Sequence, residues 1–449
     1  MLFGVVLLFT PASTSPPPPT LRVAVVGAGI AGGAVSYYLQ ELLANTSRPA
    51  AEIVAFERSD YIGGRLKHTI FETSSGDRVG VVLGGAAWAD GNQYVSALAA
   101  ALGINSTLAQ PRSTKNCSGP LCAVGVWKGA EFADIAEIAL RNAGGIVRVA
   151  AVEGEFLADV KRNYAESASA PFTSLHDFLA LGNLSAYTST SIRSFFAARG
   201  VNEELIATGM GPLTRAIYNR DCDANAFALL ASLTAALSQH SVIGGNYKLV
   251  EALFAHAAAE TRLNTTVHRI HFDAAPAGKR PFVLTSVDTS SGDEVTDRFD
   301  KVVIAAPLER ANISFTGWTL PAGAALDRGF TDWHVTVLEA HSLAPSQFGV
   351  LVPKRGGGAA RPHAGPGVGP GVGAVTPVDL SDCDVLTTAN GTTPHTPYVC
   401  VQPLGKHGGG DRAKSVWLVY SDAALDDATL ETLFVDLNAS ATLRQHWPY

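Results

Sequence analysis

Three groups of residues in this chain have the type and spacing to do chemistry. The first is Gly27-Ala28-Gly29-Ile30-Ala31-Gly32, which follows an apolar run at residues 23–26 and opens a small-residue helical segment. A second apolar run, 53–56, closes on Glu57. Glycines at this spacing allow a tight turn at Gly27, close approach of backbone to a pyrophosphate at Gly29, and tight helix–strand packing at Gly32. The pyrophosphate would lie on the N–H groups of the helix N-terminus, where the helix dipole favours negative charge. Glu57 falls where a carboxylate accepts both hydroxyls of a ribose.

The second group continues from Glu57 as Arg58, then Gly63-Gly64-Arg65, followed by the strand-like residues 79–83 and Gly84-Gly85. The Gly-Gly-Arg turn brings Arg65 and the bare backbone at Gly64 toward the pyrophosphate. The pair Gly84-Gly85 lets backbone pass close to a flat ring. Together they separate a flavin-type from a nicotinamide-type site. The third group is Gly244-Gly245-Asn246, which opens a helix expected to run to about residue 260, and His240 lies just before it. His240 is the one weak candidate for a catalytic side chain, with a plain structural role as the alternative.

These residues need a strand–turn–helix–strand unit to hold the glycines. They also need further strands at 265–270, 282–287 and 300–307, the last ending in small residues and Pro307. Such an end leaves room for a cofactor, so Pro307 joins the cofactor-binding candidates. Val267, on the strand 265–270, is the remaining one. The periodicity of residues 172–210 and the apolar run near 226–237 predict a helical subdomain. Helical segments are also expected at 132–142 and 156–167, at 92–102 up to Gly103, and at 429–441, with a strand at 415–420. Residues 355–374 are glycine- and proline-rich and read as an insert that cannot bury a core.

The 449 residues suffice for two or three domains, and 47% are hydrophobic. Only 16% are charged, against about 25% in typical soluble domains. The net charge of −7 gives no basic patch, which argues against a nucleic-acid partner. Residues 1–19 resemble a signal peptide with a proline-rich leader. Asn45, Asn105, Asn116, Asn183, Asn264, Asn312, Asn390 and Asn438 each begin an N-x-S/T triplet, eight of fifteen asparagines. Chance would give about two, so a glycosylated chain of the secretory route is expected. Five cysteines fit an oxidising compartment. Cys117 and Cys122 could close a small loop, Cys383 and Cys400 bracket another, and Cys222 is left over. No later run reaches the roughly 18–20 apolar residues of a membrane span. Peripheral membrane contact stays open.

The order of three blocks is more specific than any one of them. Gly211-Pro212-Leu213-Thr214-Arg215-Ala216-Ile217-Tyr218-Asn219, then Asp223-Ala224-Asn225-Ala226-Phe227, then Gly244-Gly245-Asn246-Tyr247-Lys248-Leu249-Val250, resembles the central region of the prenylcysteine oxidase family. The GAGIAG, IGGRL and DKVVIAAPLERANISF blocks match it in the same order. The resemblance implies an α/β fold in which a Rossmann-type FAD-binding domain is interleaved with a mixed α+β substrate domain. The expected boundaries are FAD domain at 20–110 and 236–312, and substrate domain at 111–235 and 313–449. It implies oxidation of S-farnesyl- or S-geranylgeranylcysteine. FAD takes a hydride from the carbon bonded to sulfur, water adds, and the hemithioacetal collapses to cysteine and a prenyl aldehyde. O₂ then yields H₂O₂. No base is required. An apolar tunnel is implied, with Phe195, Phe196, Phe227 and Leu230 as candidate linings or ordinary core, and Gly244, Gly245 and Asn246 on the substrate side. The location implied is lysosomal, vacuolar or secreted. Two features depart from the family pattern. Leu83 stands where an acidic residue is usual, and the chain ends at His446-Trp447-Pro448-Tyr449, so the last part of the FAD domain is expected to be missing. The rival readings are another amine or polyene oxidase of the same fold and a non-catalytic glycoprotein that kept an apolar cavity.

Overall fold

The computed structural model describes residues 20–46, 48–89, 91–108, 124–129, 131–169, 172–237, 239–274, 280–318, 330–348, 384–387, 398–407 and 413–448. The leader 1–19, Asn116, Asn390, Cys117, Cys122, Cys383 and the insert 355–374 lie outside the described residues.

The chain divides into two compact units, each made of two separated segments: 1–64 with 247–328, and 65–246 with 329–449. The expected interleaving placed its first boundary near 110, whereas the first unit ends at Gly64. The reason is visible in the pairing. Residues 65–108 hydrogen-bond among themselves and with Gln239–Val242 and Trp447, all of them in the second unit.

In the first unit, Arg22–Val26 is flanked by Lys301–Ile304 and Glu52–Phe56, and Glu52–Phe56 by Glu260–Arg262, with every pair parallel. Val23, Ala24 and Val25 are almost wholly buried, as expected of a strand covered on both faces. One cover is the helix Ile30–Ala44, which meets Tyr247–His256 where Gly33 faces Leu253 and Val250. The other is an antiparallel set, Glu294–Phe299, Phe282–Asp288 and Thr265–Phe272, with Ser314–Thr316 added in parallel. Ala24, Val54 and Phe56 share one apolar core with Val267, Leu284 and Phe299. The chain's return to the sheet is tied by Asp300, whose carboxylate accepts the Arg22 N–H at 2.7 Å.

In the second unit a six-stranded sheet runs in the order Thr442–Pro448, Asp332–Ala340, Lys414–Ser421, Cys400–His407, Asp384–Thr387, Val124–Trp127. One face packs with the hairpin His68–Glu72/Arg78–Val82 through Phe71, Val81, Val335, Val337 and Val416. A helical bundle has its own core of Phe156, Ile192, Phe196, Ile206, Leu229 and Leu230.

Two expected helices are shorter than their apolar pattern. The one opened at Tyr247 stops at His256, because Ala258 takes a left-handed φ of 48° and Glu260 starts the outer parallel strand. The one expected over 429–441 is Asp427–Leu433. Phe434 is extended and pairs with Leu343 instead. Residues 132–167 fold as Ile135–Arg141 followed by one long helix, Ala143–Ser167. Among the described residues no helix is long and apolar enough to cross a membrane.

Candidate functional site

The candidate residues divide between the two units. Gly27, Gly29, Gly32, Glu57, Arg58, Gly64, Val267 and Pro307 belong to the first, and Arg65, Gly84, Gly85, Phe227, His240 and Gly244-Gly245-Asn246 to the second.

In the first unit the glycine loop is held from three sides. Gly27 adopts φ +107°, a region open to glycine and costly to other residues, and its N–H donates to the Phe56 carbonyl at 2.8 Å. A Cβ on Gly27 would meet the Ala305 backbone at 3.2 Å, so the small-residue end of Lys301–Ile304 seals this side. Pro307 then caps the short helix Leu308–Ala311. A Cβ on Gly32 would overlap the Gly27 carbonyl oxygen. The Gly63-Gly64 turn lies along the loop through Gly63 N–H donating to the Ala28 carbonyl at 2.9 Å.

Gly29 differs from its neighbours. A Cβ there would find nothing within 4 Å. Nothing in the surrounding protein demands a glycine at this position, but a ligand lying against the backbone would. The helix begins at Ile30 with no side-chain cap and no acidic residue in its first turn. Its first N–H donors are therefore left for an anion. Glu57, 8% exposed, accepts the Ala28 N–H through Oε2 at 3.0 Å and the Ser59 N–H through Oε1 at 2.9 Å. A carboxylate has about four acceptor positions, so each oxygen keeps one for a ribose hydroxyl. These residues fit the nucleotide half of a dinucleotide cofactor. Arg58 is exposed, and Val267 is a core residue whose side chain is turned to Phe56 and Leu284. Only its backbone is left to offer a ligand.

In the second unit, two glycine pairs far apart in the chain are joined by one side chain. Asn246, 6% exposed, donates through Nδ2 to the Gly85 carbonyl at 2.7 Å, and its Oδ1 accepts the Val242 N–H at 2.8 Å. Gly245 has φ +117° and returns its N–H to the Val242 carbonyl. A Cβ on Gly84 would overlap the Arg65 carbonyl oxygen, so this glycine lets the chain pack on Arg65. Trp447 donates its indole N–H to the Leu83 carbonyl at 2.9 Å. No sequence signal marked Trp447, since the contact joins residues far apart in the chain.

His240 pairs with Trp88 across two short strands, and the rings stack with centroids 5.9 Å apart. Both line a cavity of about 470 Å³ together with Ser96, Ala99, Ile104 and Ser106. Phe195, Phe196 and Leu230 are core residues of the helical bundle, and Phe227 packs edge-on against Phe156 beside them. Cys222 is buried, and burial pushes its thiol up to about 11. It is therefore not a thiolate nucleophile at neutral pH.

Residues 131–357 match the Prenylcysteine lyase family, which is more than half of the chain. The chain belongs to the prenylcysteine lyase family. The match takes in the Gly211–Tyr218 helix, Asn246 and the return strands of the first unit. Among relatives, prenylcysteine oxidase 1 of Rattus norvegicus is 26% identical over 71% of this chain and 64% of its own length. Prenylcysteine oxidase 1 of Mus musculus is 26% identical over 69% of this chain and 61% of its own length. Farnesylcysteine lyase of Arabidopsis thaliana is 22% identical over 95% of this chain and 78% of its own length. The chain thus spans a little under two thirds of the mammalian relatives it matches. Among solved structures, putrescine oxidase bound to putrescine superposes with a TM-score of 0.47 at 15% identity, over 92% of this chain and 78% of that one. A double mutant of the same oxidase gives 0.49 at 14% identity, over 92% and 78%.

Proposed function

We propose that this member of the prenylcysteine lyase family is an FAD-dependent thioether oxidase. It would convert S-prenylated cysteine, water and O₂ to cysteine, a prenyl aldehyde and H₂O₂. The observation that carries the reading is the open, uncapped helix start above Gly29 with the Glu57 carboxylate beside it, in a chain of this family.

A bound flavin supplies a two-electron acceptor for hydride removal from the carbon attached to sulfur, with O₂ as the final acceptor. The protein's part is binding and orientation. The N–H groups that open the Ile30–Ala44 helix would hold a pyrophosphate, and Glu57 would hold a ribose. Asn246 fixes the Gly84-Gly85 backbone. Hydride loss from a thioether needs no base, so no ionised side chain is assigned to the step. Water is the nucleophile that completes cleavage.

The location we propose is the lumen of the secretory route or beyond it, in lysosome, vacuole or secreted fluid. The number of sequons and the exposure of Asn45, Asn105, Asn183 and Asn312 support this.

The test is direct. Full chain made in a secretory host is expected to carry flavin absorbance and to turn over S-farnesylcysteine with one H₂O₂ per cysteine released. Glu57→Gln, which keeps one acceptor oxygen but loses the charge, is expected to fold and to lose most of the flavin. Protein that binds no flavin, or that oxidises an amine and not S-farnesylcysteine, would overturn the reading.

A further inference from the structure

Arg215 is a buried cation with too little negative charge around it. It lies on the Gly211–Tyr218 helix and is 5% exposed. Among the described residues its one ion pair is long: Nη1 to Asp221 Oδ1 at 3.3 Å. The Asp221 side chain is 40% exposed, so solvent screens it. Arg215 Nε is buried with no partner among the described residues. Removing a guanidinium from water is costly unless its donors are paired, and its fork of five N–H groups matches a carboxylate. The nearby polar side chains do not supply that anion. Thr214 turns its hydroxyl back to the Met210 carbonyl, and the Cys222 thiol, held neutral by burial, donates to the Ile206 carbonyl.

A second observation marks the same place. The backbone before this helix, Leu205–Met210, is a π-helix. Such widened turns are rare and concentrate at functional sites. Here the Ile206 carbonyl accepts both the Gly211 N–H across the widened turn and the Cys222 thiol.

We propose that Arg215 recognises the α-carboxylate of the amino-acid end of the substrate, and that Asp221 holds the fork until that carboxylate displaces it. This rests on the reading of S-prenylated cysteine as substrate. Arg215 is thus a binding and specificity residue and does not touch the reacting carbon.

The experiment compares S-farnesylcysteine with its methyl ester on the full-length holoprotein, reading KM, kcat and thermal midpoint. Wild type is expected to prefer the free acid. Arg215→Met is expected to raise KM for the acid by about 10- to 100-fold with kcat little changed. Its KM for the ester should hardly move, and its thermal midpoint should be unchanged or higher, because an underpaired buried charge has been removed. Asp221→Asn, which removes the competing carboxylate, is expected to lower KM for the acid. Three results would each overturn the assignment while leaving the substrate reading intact. They are equal loss for acid and ester in Arg215→Met, a protein that no longer folds without Arg215, and weaker acid binding in Asp221→Asn. Failure of wild type to take either compound would overturn the substrate reading itself, and this assignment with it.

Discussion

Glu339 shows how a single side chain can hold distant segments of this chain together. It is 2% exposed on the strand Asp332–Ala340. Its carboxylate accepts the Ser74 N–H at 3.0 Å, the Ser74 hydroxyl at 2.9 Å and the Asn438 amide at 3.3 Å. Burial pushes the carboxyl up, but the Ser74 and Asn438 hydrogen bonds and nearby Lys414 together hold it below its ordinary value of 4.5. A depressed folded pKa means this contribution is complete above the unfolded value and is lost as pH falls through the folded one. The thermal midpoint should therefore drop as pH falls below about 4.5, and Glu339→Gln should flatten that part of the profile. An unchanged slope in Glu339→Gln would place the acid sensitivity elsewhere. None of this was legible in the sequence. Glu339 sits in an apolar run, and its partners lie 265 and 99 residues away.

The glycine loop is the element where sequence and structure agree most closely, and its glycines separate into two kinds. Gly32 is required by packing, because a Cβ there would overlap the Gly27 carbonyl. Gly29 has open space. Gly32→Ala should therefore lower stability by about 1–3 kcal/mol, read as a fall in the thermal midpoint of the cofactor-free protein. Gly29→Ala should leave that midpoint nearly in place and reduce flavin content. Equal midpoints for the two variants would contradict the geometry. The Asn246 bridge makes a similar claim for the second unit. Asn246→Ala leaves the Gly85 carbonyl and the Val242 N–H unpaired, at about 1–3 kcal/mol each. Asn246→Asp keeps an acceptor for Val242 but sets a second acceptor against the Gly85 carbonyl, so unfolding in urea should rank both variants below wild type. The spacing of the glycines could be read directly, since local turn chemistry is written in residue type. The helix ends near His256 and Leu433 could not, because a pairing partner elsewhere in the chain set them.

At the scale of the molecule, exposure sorts the sequons. Asn45, Asn105, Asn183 and Asn312 are exposed, and Asn264 is half-buried. Asn438 is half-buried and spends its amide on Glu339. Chain from a secretory host should carry glycans on the exposed four and none on Asn438. Mass spectrometry after glycosidase treatment reads this site by site, and heavy occupancy of Asn438 would show that the Glu339 contact does not protect it. The unit boundaries belong to this scale as well. Placing Gly84-Gly85 with the nucleotide domain followed from motif order along the chain, whereas the Gly85 carbonyl accepts from Asn246 and Gly84 packs on the Arg65 carbonyl.

The sequence alone determined that a strand–glycine turn–helix–strand unit ends on Glu57, and that three later blocks point to a family. Both are short-range patterns, in which neighbouring residues dictate the backbone they can adopt. Only the tertiary structure decided that Gly29 is open while Gly32 is filled, and that Asn246 joins two glycine pairs. It also decided that Phe196 and Leu230 are core, and that Arg215 is buried with half a partner. Burial and pairing depend on residues brought together from far along the chain, and no local pattern encodes that proximity.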